Sequence, residues 1–201
     1  PRHVIRLKSL LASSRWSMFG SYTLLFLLAP LLPYIFRDRL SFDPGPATAM
    51  VALIDLTRFV TFAVMQRYIG WHGKRSVLLW TIALMPVGFL MTLLGSDLAT
   101  VLIGEVLFGI AAGLTYYAAL YYAMVVQNAA VEAGGAHEGF IGSGFVVGPA
   151  IGLAGIFLGG SAIDTPSTLA LTTAPFLVIC AAGALWALRN AREGDHFHFP
   201  D

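Results

Sequence analysis

Six apolar stretches, each long enough for a helix to cross a bilayer, follow one another along the chain with only short polar turns between them. A spanning helix needs about 20 mostly apolar residues. The stretches run from about Ser17 to Phe36, Ala47 to Tyr68, Ser76 to Gly95, Leu98 to Val126, Ala136 to Leu158 and Leu169 to Leu188. The first closes on Arg37-Asp38-Arg39, the second follows a turn at Asp43-Pro44-Gly45-Pro46, and the fourth is entered through Ser96-Asp97. Polar loops at Gln127 to Gly135 and Gly159 to Ser167 precede the fifth and sixth. Connections this short set each span antiparallel to the next. Strands of a membrane barrel would be about 10 residues long and alternate in polarity, and these stretches do neither. The expected fold is an all-α membrane protein, a six-transmembrane-helix bundle over residues 17–189. Residues 1–16 are expected to end a cytoplasmic linker, and 190–201 to form a cytoplasmic tail.

Composition agrees. Of the 201 residues, 57% are hydrophobic and only 11% charged, against about 25% charged in a soluble domain. Too little polar surface remains for a soluble protein or a disordered chain. The single cysteine, Cys180, excludes an internal disulfide and a cysteine-based metal site. A net charge of +1 gives no basic footprint for nucleic acid. The chain begins at Pro1 and has no cleavable signal pattern, as expected of a piece of a longer protein.

Lys and Arg set the orientation. The side holding both ends carries nine: Arg2, Arg6, Lys8, Arg15, Arg67, Lys74, Arg75, Arg189 and Arg192. The other side carries two, Arg37 and Arg39. Both ends are therefore expected in the cytoplasm. Tyr22, Tyr34 and Trp80 suit interfacial anchors. Pro30, Pro33, Pro86, Pro149 and Pro175 fall within or near spans, where a proline either bends a helix that lines a cavity or is simply tolerated.

Asp55, Arg58 and Glu105 lie well inside spans, at about 2.5–3.5 kcal/mol each for a charge at a helix centre. Such residues face a bundle interior or a water-filled cavity. Asp55 and Arg58, at i and i+3, can form a structural ion pair or contact a substrate or ion. Glu105 has no basic residue on its own helix, and Gly109 and Tyr116 fall within about 40° of it on the helical wheel. Tyr116, Tyr117, Tyr121 and Tyr122 follow, offering either aromatic packing or the stacking faces and hydroxyls of a cavity wall. Glu105 is expected to face ligand or carry protons, with a structural hydrogen bond to a neighbouring helix, or Arg58 as its partner, as the competing arrangements.

Catalytic motifs are incomplete. Ile141-Gly142-Ser143-Gly144 nearly matches the nucleophile turn of rhomboid-like proteases, but no later span supplies a histidine base. His137-Glu138 begins a zinc-helix pattern that Ile141 breaks, and Gly73-Lys74-Arg75 lacks the leading glycine of a phosphate loop. No enzyme, metal or cofactor is expected.

The fifth span reads Gly135-x8-Gly144-x3-Gly148-Pro149-x2-Gly152, which resembles the glycine-proline motif C of the major facilitator superfamily. Two further matches follow the family's order. The loop Trp71-His72-Gly73-Lys74-Arg75-Ser76-Val77-Leu78 is similar to the tail of motif A, with Gly70 where the family has Asp. Glu105-x3-Gly109-x3-Gly113 is similar to motif B, with Glu in place of Arg. The family is built of two six-helix halves, and the missing Asp and Arg point to the C-terminal half, as do the basic start and polar tail. The resemblance implies that the spans are helices seven to twelve and that the first, second, fourth and fifth line a central cavity holding Asp55, Arg58, Glu105 and the tyrosines. It implies half of a secondary transporter moving a small solute by alternating access. The implied partners are that solute, the bilayer and the missing N-terminal half, with protons as a candidate coupling ion. A scaffold or receptor without flux, and an intramembrane protease, are the alternatives.

Overall fold

The computed structural model describes residues 2–159 and 165–189. Helix α1 covers Arg2–Leu28; a short turn α2 (Leu32–Tyr34) runs into a π-helical turn at Ile35–Arg39. Then come α3 (Pro44–Val51), α4 (Leu53–Arg67), a 3-10 turn at Ile69–Trp71, α5 (Arg75–Leu94), α6 (Leu98–Val126), α7 (Val131–Gly159) and α8 (Thr165–Arg189). No strand occurs among the described residues. Five helical segments are long and apolar enough to cross a membrane, and six if the bent pair at the start forms one span. This is an all-α, multi-pass membrane protein.

The middle spans match their sequence-based limits, and the ends differ for local reasons. Residues 2–16, expected as linker, continue α1 as helix, because nothing from Arg2 to Ser17 breaks one. The first span is not straight: Arg6–Leu28 and Leu32–Arg39 meet at 48°. Pro30 and Pro33 each lack a donor for a continuous helix. Asp43-Pro44-Gly45-Pro46 is not a free turn but the start of α3, with Asp43 extended before it and proline in the first turn, where a missing N–H costs nothing. Helix α7 begins at Val131, so the polar connection before it shrinks to Gln127–Ala130, where Asn128 and Ala129 adopt positive φ. Asp97 caps α6 by accepting from Thr100 N at 3.0 Å and from its hydroxyl at 2.7 Å. The tail 190–201 lies outside the described residues.

Glycines set the closest approaches and fix directions. A β-carbon at Gly104 would lie 2.5 Å from Thr92 N, and one at Gly88 2.5 Å from Phe108 N, so α5 and α6 touch backbone to backbone and run antiparallel. Gly109 meets Ile54 and Thr57, and Gly113 meets Thr61 and the Arg58 carbonyl, so α4 and α6 run parallel, as alternate spans must. Gly144 and Gly148 lie against Tyr22 to Leu27, setting α7 parallel to α1.

The principal contacts of α1 are with α6, α7 and α8; those of α6 are with α1, α4 and α5. Exchanging the first three spans for the last three maps these principal pairs onto themselves. Both central helices are well covered, and α1 buries a polar stripe of Ser13, Ser14, Ser17 and Ser21. Arg39 reaches from the π-turn to the Leu93 carbonyl at 2.7 Å, satisfying a free acceptor at the end of α5.

Candidate functional site

Helices α4 and α7 are the spans least covered by the rest of the bundle. Their polar residues meet those of the two central helices. On α4, Arg58 Nη2 lies 2.9 Å from Asp55 Oδ1, and the Asp55 side chain is 69% exposed. The Arg58 guanidinium lies 5.9 Å from the ring centre of Tyr22 on α1, within the range of a cation–π contact. Tyr22 is 6.1 Å from Tyr116 of α6, which is 5.0 Å from Phe62 of α4 and edge-on to His137 of α7 at 4.6 Å. His137 is buried with Nε2 unpartnered, and its neighbour Glu138 is exposed. Glu138 follows His137 directly on α7. One guanidinium, two carboxylates, an imidazole and three aromatic rings from four spans thus share one side of the bundle.

The other sequence-derived residues divide among three places. Glu105 is fully buried, and neither carboxylate oxygen has a hydrogen-bond partner. Arg58, its expected alternative partner, is engaged by Asp55 two turns further along the shared register. Gly109, on the stripe of Glu105, is filled by α4 rather than open. Tyr116 alone of that stripe reaches the polar group.

Tyr117 and Tyr121 join a separate aromatic cluster at the α4–α5 connection. Trp71 stands edge-on to both, at 5.9 and 5.0 Å, and His72 stacks on Tyr121 at 4.1 Å with 11° between planes. Gly73 N donates to the Tyr122 hydroxyl at 3.1 Å and Arg6 donates to the Gly73 carbonyl at 2.6 Å, so the loop is held by α6 and α1 together. Gly73 has φ +70°, a conformation that favours glycine. Lys74 is exposed just before α5 and Arg75 half-buried at its start.

Of the glycine-proline motif, Gly144 and Gly148 contact α1, whereas a β-carbon at Gly135 or Gly152 would meet nothing. Pro149 faces outward. Gly144, Gly148 and Gly152 recur every four residues, a spacing that suggests a three-glycine ridge, but only the first two make the contact, since beyond Pro149 helix α7 packs on α8, with Gly155 against Leu169 and Thr172. Ser143 donates to the Phe140 carbonyl of its own helix at 2.8 Å. No group of three potential metal ligands occurs among the described residues.

Sequence reasoning missed Tyr22, His137 and Glu138 as members of the polar group. Tyr22 passed as an interfacial anchor, and His137-Glu138 was considered only as a zinc pattern. The available signal was an ionisable pair at the edge of the fifth span, which gains weight once α7 begins at Val131.

Burial of His72 holds its imidazole below the ordinary value of 6.5. The unfolded chain therefore takes up its proton first as pH falls, so the loop is fully stable above 6.5 and loses stability below it. Trp71 lies 4.4 Å from His72, and its fluorescence is expected to change with a midpoint below 6.5. His72→Phe should remove that transition; a midpoint at or above the ordinary value would contradict the burial.

No family model matches this chain, and neither the curated proteins nor the solved structures contain a match to it.

Proposed function

We propose that the chain is the C-terminal half of a major-facilitator-type secondary transporter, and that the polar group on α1, α4, α6 and α7 is its share of the solute site. The observation that carries the reading is the convergence of Arg58, Tyr22, Tyr116 and His137 from four spans, beside exposed Asp55 and Glu138. Polar groups are expensive on a surface that faces lipid, so this side calls for a water-filled cavity and a covering partner, the missing N-terminal half. The exchange relation between the first three and last three spans is what inverted repeats produce. Exposed carboxylates and a guanidinium with aromatic faces between them suit a small polar solute. The Lys and Arg bias supports a reading with both ends in the cytoplasm, and the plasma (inner) membrane is the membrane proposed. Motif C on α7, the basic loop Gly73 to Arg75 and the absence of a complete catalytic set support transport over the protease reading.

The test is uptake by the full-length protein in proteoliposomes, using a panel of amino acids, sugars and organic cations. Saturable flux of at least one solute is expected, with none from the 201-residue chain alone. A charge-assisted contact contributes about 1.5–3 kcal/mol, so Arg58→Gln should lower flux about tenfold or more. Absence of flux for every solute would leave a scaffold or receptor.

A further inference from the structure

A groove of about 530 Å³ lies along the seam of α1 and α7, lined by Ala12, Arg15, Trp16, Phe19, Phe140 and Ser143. Trp16 and Phe19 continue from it to α8, where Trp16 covers Gly183 and Phe19 stands edge-on to Phe176 at 5.4 Å. The lining is apolar except at Arg15 and Ser143. The Ser143 hydroxyl is spent on its own helix. Arg15 is different: its guanidinium lies 5.7 Å from the Phe140 ring centre, yet Nη2 is buried without a hydrogen-bond partner. Arg15 makes no ion pair with a carboxylate of the described residues.

A buried guanidinium nitrogen with no acceptor costs free energy until an anion arrives. Arg15 lies in the N-terminal half of the span Arg6–Leu28, the half whose end reaches the loop at Gly73, and a long basic side chain there extends toward headgroup level. Trp16 beside it is the residue type that settles at that level. Phe19, one turn on, extends the groove toward the hydrocarbon. A cationic group extending toward the interface, with an apolar channel beyond it, matches a molecule with an acidic head and an apolar tail.

We propose that this groove binds an anionic amphiphile, its phosphate or carboxylate head on Arg15 and its chain along Trp16, Phe19 and Phe140. The proposal is independent of transport: the groove and its ligand stand whether or not the full protein carries a solute.

The experiment uses the full-length protein with every tryptophan except Trp16 and Trp71 changed to Phe, which includes Trp80 and Trp186, both exposed on the bundle surface. Trp71 sits in the α4–α5 cluster and supplies a constant background. The protein is placed in phosphatidylcholine vesicles doped with dibrominated phosphatidylglycerol, dibrominated phosphatidylcholine or dibromostearate, and quenching of Trp16 is measured. Phosphatidylglycerol or stearate should associate about fivefold more tightly than phosphatidylcholine, the weight of one basic residue at an anionic surface. A preference for phosphatidylglycerol identifies a lipid headgroup as the source, and one for stearate a free amphiphilic acid. Arg15→Gln should erase the preference and Arg15→Lys retain most of it. Ser143→Leu, which fills the groove but leaves the charge, should also erase it and serves where Arg15→Gln does not fold. Equal quenching by all three probes, or a preference that survives both substitutions, overturns the proposal.

Discussion

Gly148→Leu is expected to separate α7 from α1 and to leave little correctly folded protein. A β-carbon there would collide with the Thr23 carbonyl oxygen and lie 3.0 Å from Leu27 N and 3.2 Å from Phe26 Cβ. Two of these three are backbone atoms, which cannot rotate aside as a side chain can. Overpacking of this kind costs about 1–3 kcal/mol, and a leucine against backbone belongs at the upper end. Gly152→Leu is the internal control, because nothing lies within 4 Å of a β-carbon at that position. The measurement is the monodisperse yield and thermal midpoint of the full-length protein in detergent. Gly148→Leu should lower both strongly and Gly152→Leu neither. Where some Gly148→Leu protein folds, conformational cycling should suffer more than solute preference. Equal loss for the two variants would restore the three-glycine ridge that the sequence spacing suggests.

Glu105→Gln in the full-length protein is expected to abolish concentrative uptake while leaving exchange of solute across the membrane intact. The carboxylate is fully buried, has no hydrogen-bond partner on either oxygen, and lacks Arg58, which Asp55 holds. Glutamine keeps the shape and hydrogen-bonding capacity but cannot ionise. Intramembrane acids of this kind commonly serve proton relays. The glycine on its stripe is closed by α4, so Glu105 is better placed for carrying protons than for touching solute. Loss of solute binding would make it a ligand contact instead. Uptake unchanged across about pH 5–8 would leave it a structural residue.

The order of the apolar helices and the alternation of neighbouring ones were legible because lipid demands long apolar runs and short connections, and five of the six expected spans, or six with the bent pair counted as one, are long enough to cross. The limits of the fourth span, Leu98 and Val126, coincide in sequence and structure. What stayed hidden was interior geometry. The bend after Leu28 was foreshadowed by Pro30 and Pro33, but a proline in a span does not announce whether the chain kinks or breaks. The helical wheel put Glu105, Gly109 and Tyr116 on one stripe, yet could not say that α4 fills the stripe at Gly109 and that Tyr116 projects past it. Likewise four tyrosines in seven residues read as one wall. The 3.6-residue turn instead splits them, sending Tyr116 to Tyr22 and His137, and Tyr117, Tyr121 and Tyr122 to Trp71. The Asp55–Arg58 pair was readable from its spacing alone. Its approach to Tyr22 was not, since that depends on how α4 and α1 sit around α6.

The placement of α1 at the centre of the bundle has a consequence for biosynthesis. Its principal neighbours, α6, α7 and α8, all lie in the second half of the chain. When only the first three of these spans have emerged, α1 still lacks the neighbours that cover Ser13 and Ser17, whose hydroxyls have no partner, whereas Ser14 and Ser21 donate to the Leu11 and Met18 carbonyls of α1 itself. Burial of that stripe waits for the last spans to emerge. Helices already inserted must remain beside the insertion machinery, or in the care of a membrane chaperone, until α6 and α7 arrive to close over them.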